Sequence, residues 1–180
     1  MIEIGVKIGK ENGKGGTMEA HRKKGILYIV VPCYNEEEAL LPSAKTLLDK
    51  LGALRSNGIV SEKSRIVFVD DGSKDRTWEI ITQLYNANEE VVGLRFAHNR
   101  GHQNAILAGM MYAKDFCDYT ITIDADLQQD IEAIERFIEE YVKGSEVVFG
   151  VRNSRNTDHF FKKFSATMFY KVMRSMGANI

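Results

Sequence analysis

The residues of this chain best suited to chemistry are carboxylates that stand in pairs directly after apolar, β-branched runs. Ile121-Thr122-Ile123-Asp124-Ala125-Asp126-Leu127-Gln128 delivers two acids two residues apart, and extended backbone aims such a pair the same way. Asp124 and Asp126 can therefore share a divalent ion. Mg²⁺ or Mn²⁺ prefers such hard oxygen donors and typically takes one or two carboxylates plus substrate phosphates. Ile66-Val67-Phe68-Val69-Asp70-Asp71-Gly72-Ser73-Lys74-Asp75 repeats the design, with Gly72 allowing a tight turn. Asp70 or Asp71 can accept a hydrogen bond from a base N–H or a ribose hydroxyl, or can merely shape the turn. In Val31-Pro32-Cys33-Tyr34-Asn35-Glu36-Glu37-Glu38, Pro32 stiffens the strand exit, Tyr34 offers a face for base stacking and Glu36 an acceptor. Glu37 and Glu38 suit a helix first turn, and on bare physics a solvated acidic cap explains this segment better than a binding role.

The elements that must position these loops alternate in period. Strands are expected at 26–31, 65–69, 91–96, 119–123 and 146–150. Helices are expected at 37–55, 75–86, 102–114, 130–142 and 159–176. Strands alternating with helices imply βαβ crossovers and an α/β fold with a mostly parallel sheet. In such sheets ligands gather at the carboxyl ends of the strands, where all three acidic loops fall. Ordinary helix-capping loops of an α/β protein are the competing explanation. Residues 1–24, with four glycines from Gly9 to Gly16, read as a flexible leader. No G-x-x-x-x-G-K-[ST] phosphate loop is present.

The 180 residues suit one domain; they are 44% hydrophobic and 27% charged, with net charge −1. That balance points away from a nucleic-acid partner. The longest apolar stretch, about 25–33, is far short of the ~20 residues that span a bilayer, and no secretory signal opens the chain. Cys33 and Cys117 lack any metal or redox spacing and read as reduced structural thiols of a cytosolic protein.

Taken together, VPCYNEEE, VDDGSKDRT, HNRGHQNAILAGM, DADLQQD and VVFGVRNSR resemble the family 2 glycosyltransferases in order and spacing, from about Gly25 onward. The likeness is greatest to the branch that moves a sugar onto a polyprenyl phosphate, the bactoprenol-phosphate glucosyltransferases and dolichol-phosphate mannose synthases. It implies a GT-A type fold, with Pro32, Tyr34, Glu36 and Asp71 (with Asp70 beside it) holding the nucleotide. It gives Asp124 and Asp126 to the metal and diphosphate, with Asp126 catalytic, and Gln128 to the sugar. Gly101-His102-Gln103 resembles the form of the UDP-sugar users rather than the GDP-mannose users, which places Gln103 in the donor site. Relatives often carry an arginine at the place of His98, an aromatic at that of Arg100, and Asp-Pro-Pro at that of Gln129-Asp130-Ile131. The first two departures bear on the sugar preference and the last on how the next helix starts.

From residue 145 onward six basic residues face two acidic ones. Arg152 and Arg155 can receive an acceptor phosphate through bidentate hydrogen bonds, or can be surface arginines without a ligand. Asp158 is the candidate base. Phe160, Phe161, Phe164, Met168, Val172, Met173 and Met176 recur at helical spacing among lysines and arginines. Such a helix can lie in a membrane interface or pack into a core.

The expectation is inverting transfer of a hexose from a UDP-sugar such as UDP-glucose to polyprenyl phosphate at the inner face of the membrane. The chain is expected to be truncated on its acceptor side, with exposed apolar surface favouring homo-oligomers. Three other readings stay open: a glycosyltransferase with a hydroxyl acceptor in polysaccharide synthesis, a nucleotidyltransferase, and a nucleotide-binding fragment without turnover.

Overall fold

The computed structural model describes residues 2–4 and 24–150. Its elements in chain order are β1 (Ile2–Ile4), β2 (Leu27–Cys33), α1 (Leu40–Ser56), β3 (Arg65–Asp70), α2 (Thr77–Ala87), β4 (Val91–Arg95), α3 (His102–Ala113), β5 (Tyr119–Thr122), α4 (Ala133–Val142) and β6 (Val148–Gly150). The expected helix over 159–176 lies outside the described residues. Among the described residues, no helix is long and apolar enough to cross a membrane.

Four strands form one sheet in the order β4-β3-β2-β5, and every neighbouring pair is parallel. β2 is central, and all seven of its residues are buried. Alternation along it builds two cores. Leu27, Ile29, Val31 and Cys33 join the apolar faces of α1, α2 and α4, whereas Tyr28 and Val30 join Val67, Val69, Ala105 and Ala113 beneath α3. The expected α/β class, a mostly parallel sheet with helices on both faces, is the observed one.

The chain steps from β2 outward through β3 to β4, then returns to the other side of β2 for β5. That reversal opens a crevice between the carboxyl ends of β2 and β5. Pro32 marks the place. Val30 accepts the Ile123 N–H at 3.0 Å on the β5 side, and Cys33 accepts the Asp71 N–H at 2.8 Å on the β3 side. By alternation Pro32 faces β5, whose pairing with β2 ends at Val30↔Thr122. Its missing N–H therefore leaves no ladder bond unmade, which is how a proline is tolerated in a central strand.

Two expectations need correction. The last strand is shorter than 146–150 and lies outside the parallel sheet: β6 pairs antiparallel with β1. Its residues are only half-buried or exposed, which suits a ribbon and not a strand covered on both faces. β1 lies within the first 24 residues. Helix α1 also starts at Leu40 instead of Glu37, because the acids before it bond across to the neighbouring loop.

Close packing of α3 depends on Gly109, where an added Cβ would lie 2.4 Å from Val30 Cγ1 and 3.1 Å from Val69 Cγ2. Gly109→Ala is predicted to lower stability by about 1–3 kcal/mol through overpacking, although alanine is the better helix former. Thermal unfolding measures the loss. Val30→Ala combined with it should cost less than the two changes added separately.

Candidate functional site

The loops after β2 and β3 are bolted together by five hydrogen bonds. Asn35 N–H donates to Ser73 Oγ at 2.9 Å, Glu36 N–H to Thr77 Oγ1 at 2.8 Å and Glu37 N–H to Asp75 Oδ2 at 3.1 Å. In return Lys74 N–H donates to Asn35 Oδ1 and Arg76 N–H to Glu37 Oε2, each at 2.9 Å. Asn35 sits at φ +55°, a left-handed conformation that asparagine tolerates well. Thr77 also donates its hydroxyl to Asp75 Oδ1 at 2.6 Å. Burial works against the Asp75 charge, but the hydroxyl and N–H of Thr77 and the N–H of Glu37 hold its carboxyl below the ordinary value.

The neighbours Asp70 and Asp71 do opposite jobs. Asp70 is fully buried; its Oδ1 accepts the Ser73 N–H at 3.0 Å, and its Oδ2 lies 3.1 Å from Arg95 Nε. Oδ2 has no well-aligned hydrogen bond among the described residues, so the Arg95 charge compensates it. Arg95 in turn rests over the Trp78 ring at 5.5 Å. Asp71 points the other way and accepts the N–H groups of Arg100 at 2.6 Å and Gly101 at 2.8 Å. Gly72 permits this approach. It sits at φ +68°, and a Cβ there would lie 2.5 Å from the His98 carbonyl carbon.

At the end of β5, the side chain of Asp124 is 39% exposed. Its Oδ1 lies 3.6 Å from His102 Nε2, and its Oδ2 accepts a hydrogen bond from Gln129 Nε2. Asp126 is exposed and accepts the Gln128 N–H at 3.2 Å. Between them the loop passes through Leu127 at φ +47°, an uncommon conformation for a branched residue and typical of functional loops.

These segments enclose one cleft of about 390 Å³, lined by Pro32, Cys33, Tyr34, Glu36, Asp71, Asn99, His102, Ala105, Asp124, Ala125 and Asp126. The volume suits a small-molecule ligand. Of the expected site residues, Pro32, Tyr34, Glu36, Asp71, Asp124 and Asp126 meet there. Asp70 does not line the cleft: it is buried behind the β3 loop and held by Ser73 and Arg95. Gln103 and Gln128 are exposed and are not among the lining residues. Arg152, Arg155 and Asp158 lie outside the described residues. Sequence reading missed Asn99 and His102, which only the Asp71 clamp brings in. Cys33 and Cys117 carry free thiols, and burial pushes both up from the ordinary thiol pKa, Cys117 to about 11.

Four carboxylates in one cleft make a strong negative field. Burial pushes the Glu36 carboxyl up, and Asp126, Asp75 and Asp124 add repulsion in that order. Among the described residues, no three metal-ligating side chains converge on one point. The donor set nevertheless fits a hard cation that completes its shell with substrate oxygens, since Asp124 and Asp126 are oxygen donors on one cleft wall.

Because the folded-state pKa of Glu36 is raised, its ionisation weakens folding as pH rises past the ordinary glutamate value near ~4.3. Glu36→Gln is predicted to raise the unfolding midpoint at pH 7, and the gain should vanish by about pH 3, more than a unit below the ordinary value, where folded and unfolded Glu36 are both almost fully protonated. Thermal unfolding at the two pH values checks it.

The sequence pattern described as "Glycosyl transferase family 2" matches residues 28–179. The chain is 47% identical over 155 residues to an uncharacterized glycosyltransferase of Bacillus subtilis (strain 168), YkoT, covering 86% of this chain and 46% of that protein. It is 39% identical to a prophage bactoprenol glucosyl transferase homolog of Escherichia coli (strain K12), covering 80% of this chain and 44% of that protein. It is 38% identical to the bactoprenol glucosyl transferase of Shigella phage SfV, again over 80% and 44%. The chain thus spans less than half the length of these relatives. The matched span takes in every loop that lines the cleft, and on that match the chain belongs to glycosyl transferase family 2.

Proposed function

We propose that the cleft binds a nucleotide sugar, a UDP-hexose in preference to GDP-mannose, and that the hexose passes to a polyprenyl phosphate with inversion at the anomeric carbon. The observation that carries this reading is the meeting of Tyr34, Glu36, Asp71, Asp124 and Asp126 in one cleft at the sheet's switch point. The names of relatives that transfer glucose to bactoprenol support the lipid acceptor.

In this reading Tyr34, 41% exposed at the cleft wall, stacks on the base. Glu36 accepts from the base, and Pro32 closes the floor beneath it. Asp124 and Asp126 would hold a Mg²⁺ or Mn²⁺ ion, which when bound neutralises the diphosphate and acts as a Lewis acid toward the departing nucleoside diphosphate. Acceptor chemistry falls to residues beyond 150: Arg152 and Arg155 receive the acceptor phosphate, and Asp158 is the candidate base. That phosphate is already anionic near neutral pH, so attack needs little help from a general base. In this reading the basic and aromatic residues within 159–176 hold the protein at the cytoplasmic face of the membrane, and exposed apolar surface favours a homo-oligomer. Co-sedimentation with anionic vesicles tests the placement, and a monodisperse monomer in light scattering contradicts the oligomer.

Calorimetry tests the donor site. UDP is predicted to bind at least about ten-fold more tightly with Mn²⁺ than with chelator, about 1.4 kcal/mol, and Asp126→Asn should abolish that difference. Equal affinity in both conditions for the unaltered chain refutes the metal assignment.

A further inference from the structure

We propose that His102 contacts the donor directly, its imidazole donating a hydrogen bond to the anionic diphosphate of the bound nucleotide sugar. The inference rests on the nucleotide-sugar reading above and adds a residue to it. The cleft wall carries four carboxylates, Glu36, Asp71, Asp124 and Asp126, and a single nitrogen base, His102. A diphosphate entering such a field meets repulsion from all four of these carboxylates. The imidazole is the one lining side chain that can donate to a phosphate oxygen as a potential cation.

Its geometry leaves it available. Nε2 lies 3.6 Å from Asp124 Oδ1, beyond hydrogen-bonding distance, so Asp124 does not consume its N–H. A group held at Asp124 is nonetheless within its reach. The position is also a built one. Asp71 fixes the Arg100 and Gly101 N–H groups at 2.6 and 2.8 Å, and Gly101 turns the chain at φ +95° into the first residue of α3. Three residues on, on the same helix face, buried Ala105 lines the same cleft. Asp71 thus serves as a positioning residue for His102. Gln103, the neighbour that the family resemblance points to, is absent from that wall.

The test is NMR titration of the 180-residue chain with UDP and with uridine, in the presence of Mg²⁺. His102→Ala is expected to weaken UDP binding about ten-fold while leaving uridine affinity unchanged. His102→Gln, which keeps an N–H donor at a similar reach, should recover most of the loss. His102 is exposed, so thermal unfolding of both variants should match that of the unaltered chain. Unchanged UDP affinity in His102→Ala, or an equal loss for uridine, overturns the proposal. Failure of the unaltered chain to bind UDP or uridine overturns the nucleotide-sugar reading itself, and the His102 contact with it.

Discussion

The buried carboxylate of Asp71 is the junction on which the cleft depends. Its own N–H goes to the Cys33 carbonyl of the central strand at 2.8 Å, while its oxygens take the N–H groups of Arg100 and Gly101. One residue therefore ties the end of β2, the end of β3 and the start of α3. A carboxylate withdrawn from water is costly unless donors are aimed at it, and charge-assisted bonds to backbone N–H groups are among the strongest available. Loss of the donors would leave the buried Asp71 carboxylate unsatisfied, a penalty of about 1–3 kcal/mol. Gly72 is part of the same device, since any side chain there would collide with the segment that Asp71 holds.

Around this junction the sequence concentrates like charge. Glu36, Asp124 and Asp126 share the wall with Asp71, and burial, followed by repulsion from Asp126, Asp75 and Asp124, raises the Glu36 carboxyl. A protein selected for stability alone would dilute such a cluster. Its retention on rigid strand ends, braced by the five bonds between the β2 and β3 loops, fits a site whose charge is completed by its ligand. The bracing residues are drawn from the same acidic segments: Asp75 and Glu37 each bond a backbone N–H of the opposite loop. Neighbouring acids thus divide between building the cleft and facing into it.

Much of this was legible in sequence. Period alternation gives the order of the βαβ units, and acids two apart after a buried strand place Asp124 and Asp126 on one wall. Helix starts were less legible. Glu37 reads as a first-turn acid because local spacing cannot reveal that its carboxylate bonds Arg76, 39 residues away. Asp70 and Asp71 look interchangeable in sequence. Strand alternation sends one into the interior toward Ser73 and Arg95 and the other to the cleft. His102 was hidden for a similar reason. Nothing in Gly101-His102-Gln103 says which side chain faces β5 until the clamp from Asp71 sets the phase of α3. The β1–β6 ribbon joins residues almost 150 positions apart, beyond any local signal.

If side chains from separate strand ends surround one cation-bound nucleotide, a bound cation lies close to all of those loops at once. Paramagnetic broadening of backbone amides by Mn²⁺ in the presence of UDP reads that proximity. Amides in 33–37, 70–73, 99–103 and 124–128 are expected to broaden together, at substoichiometric metal and only when UDP is present. Broadening confined to one of those loops, or centred instead on exposed acids such as Glu132 and Glu135 of the α4 region, would contradict it.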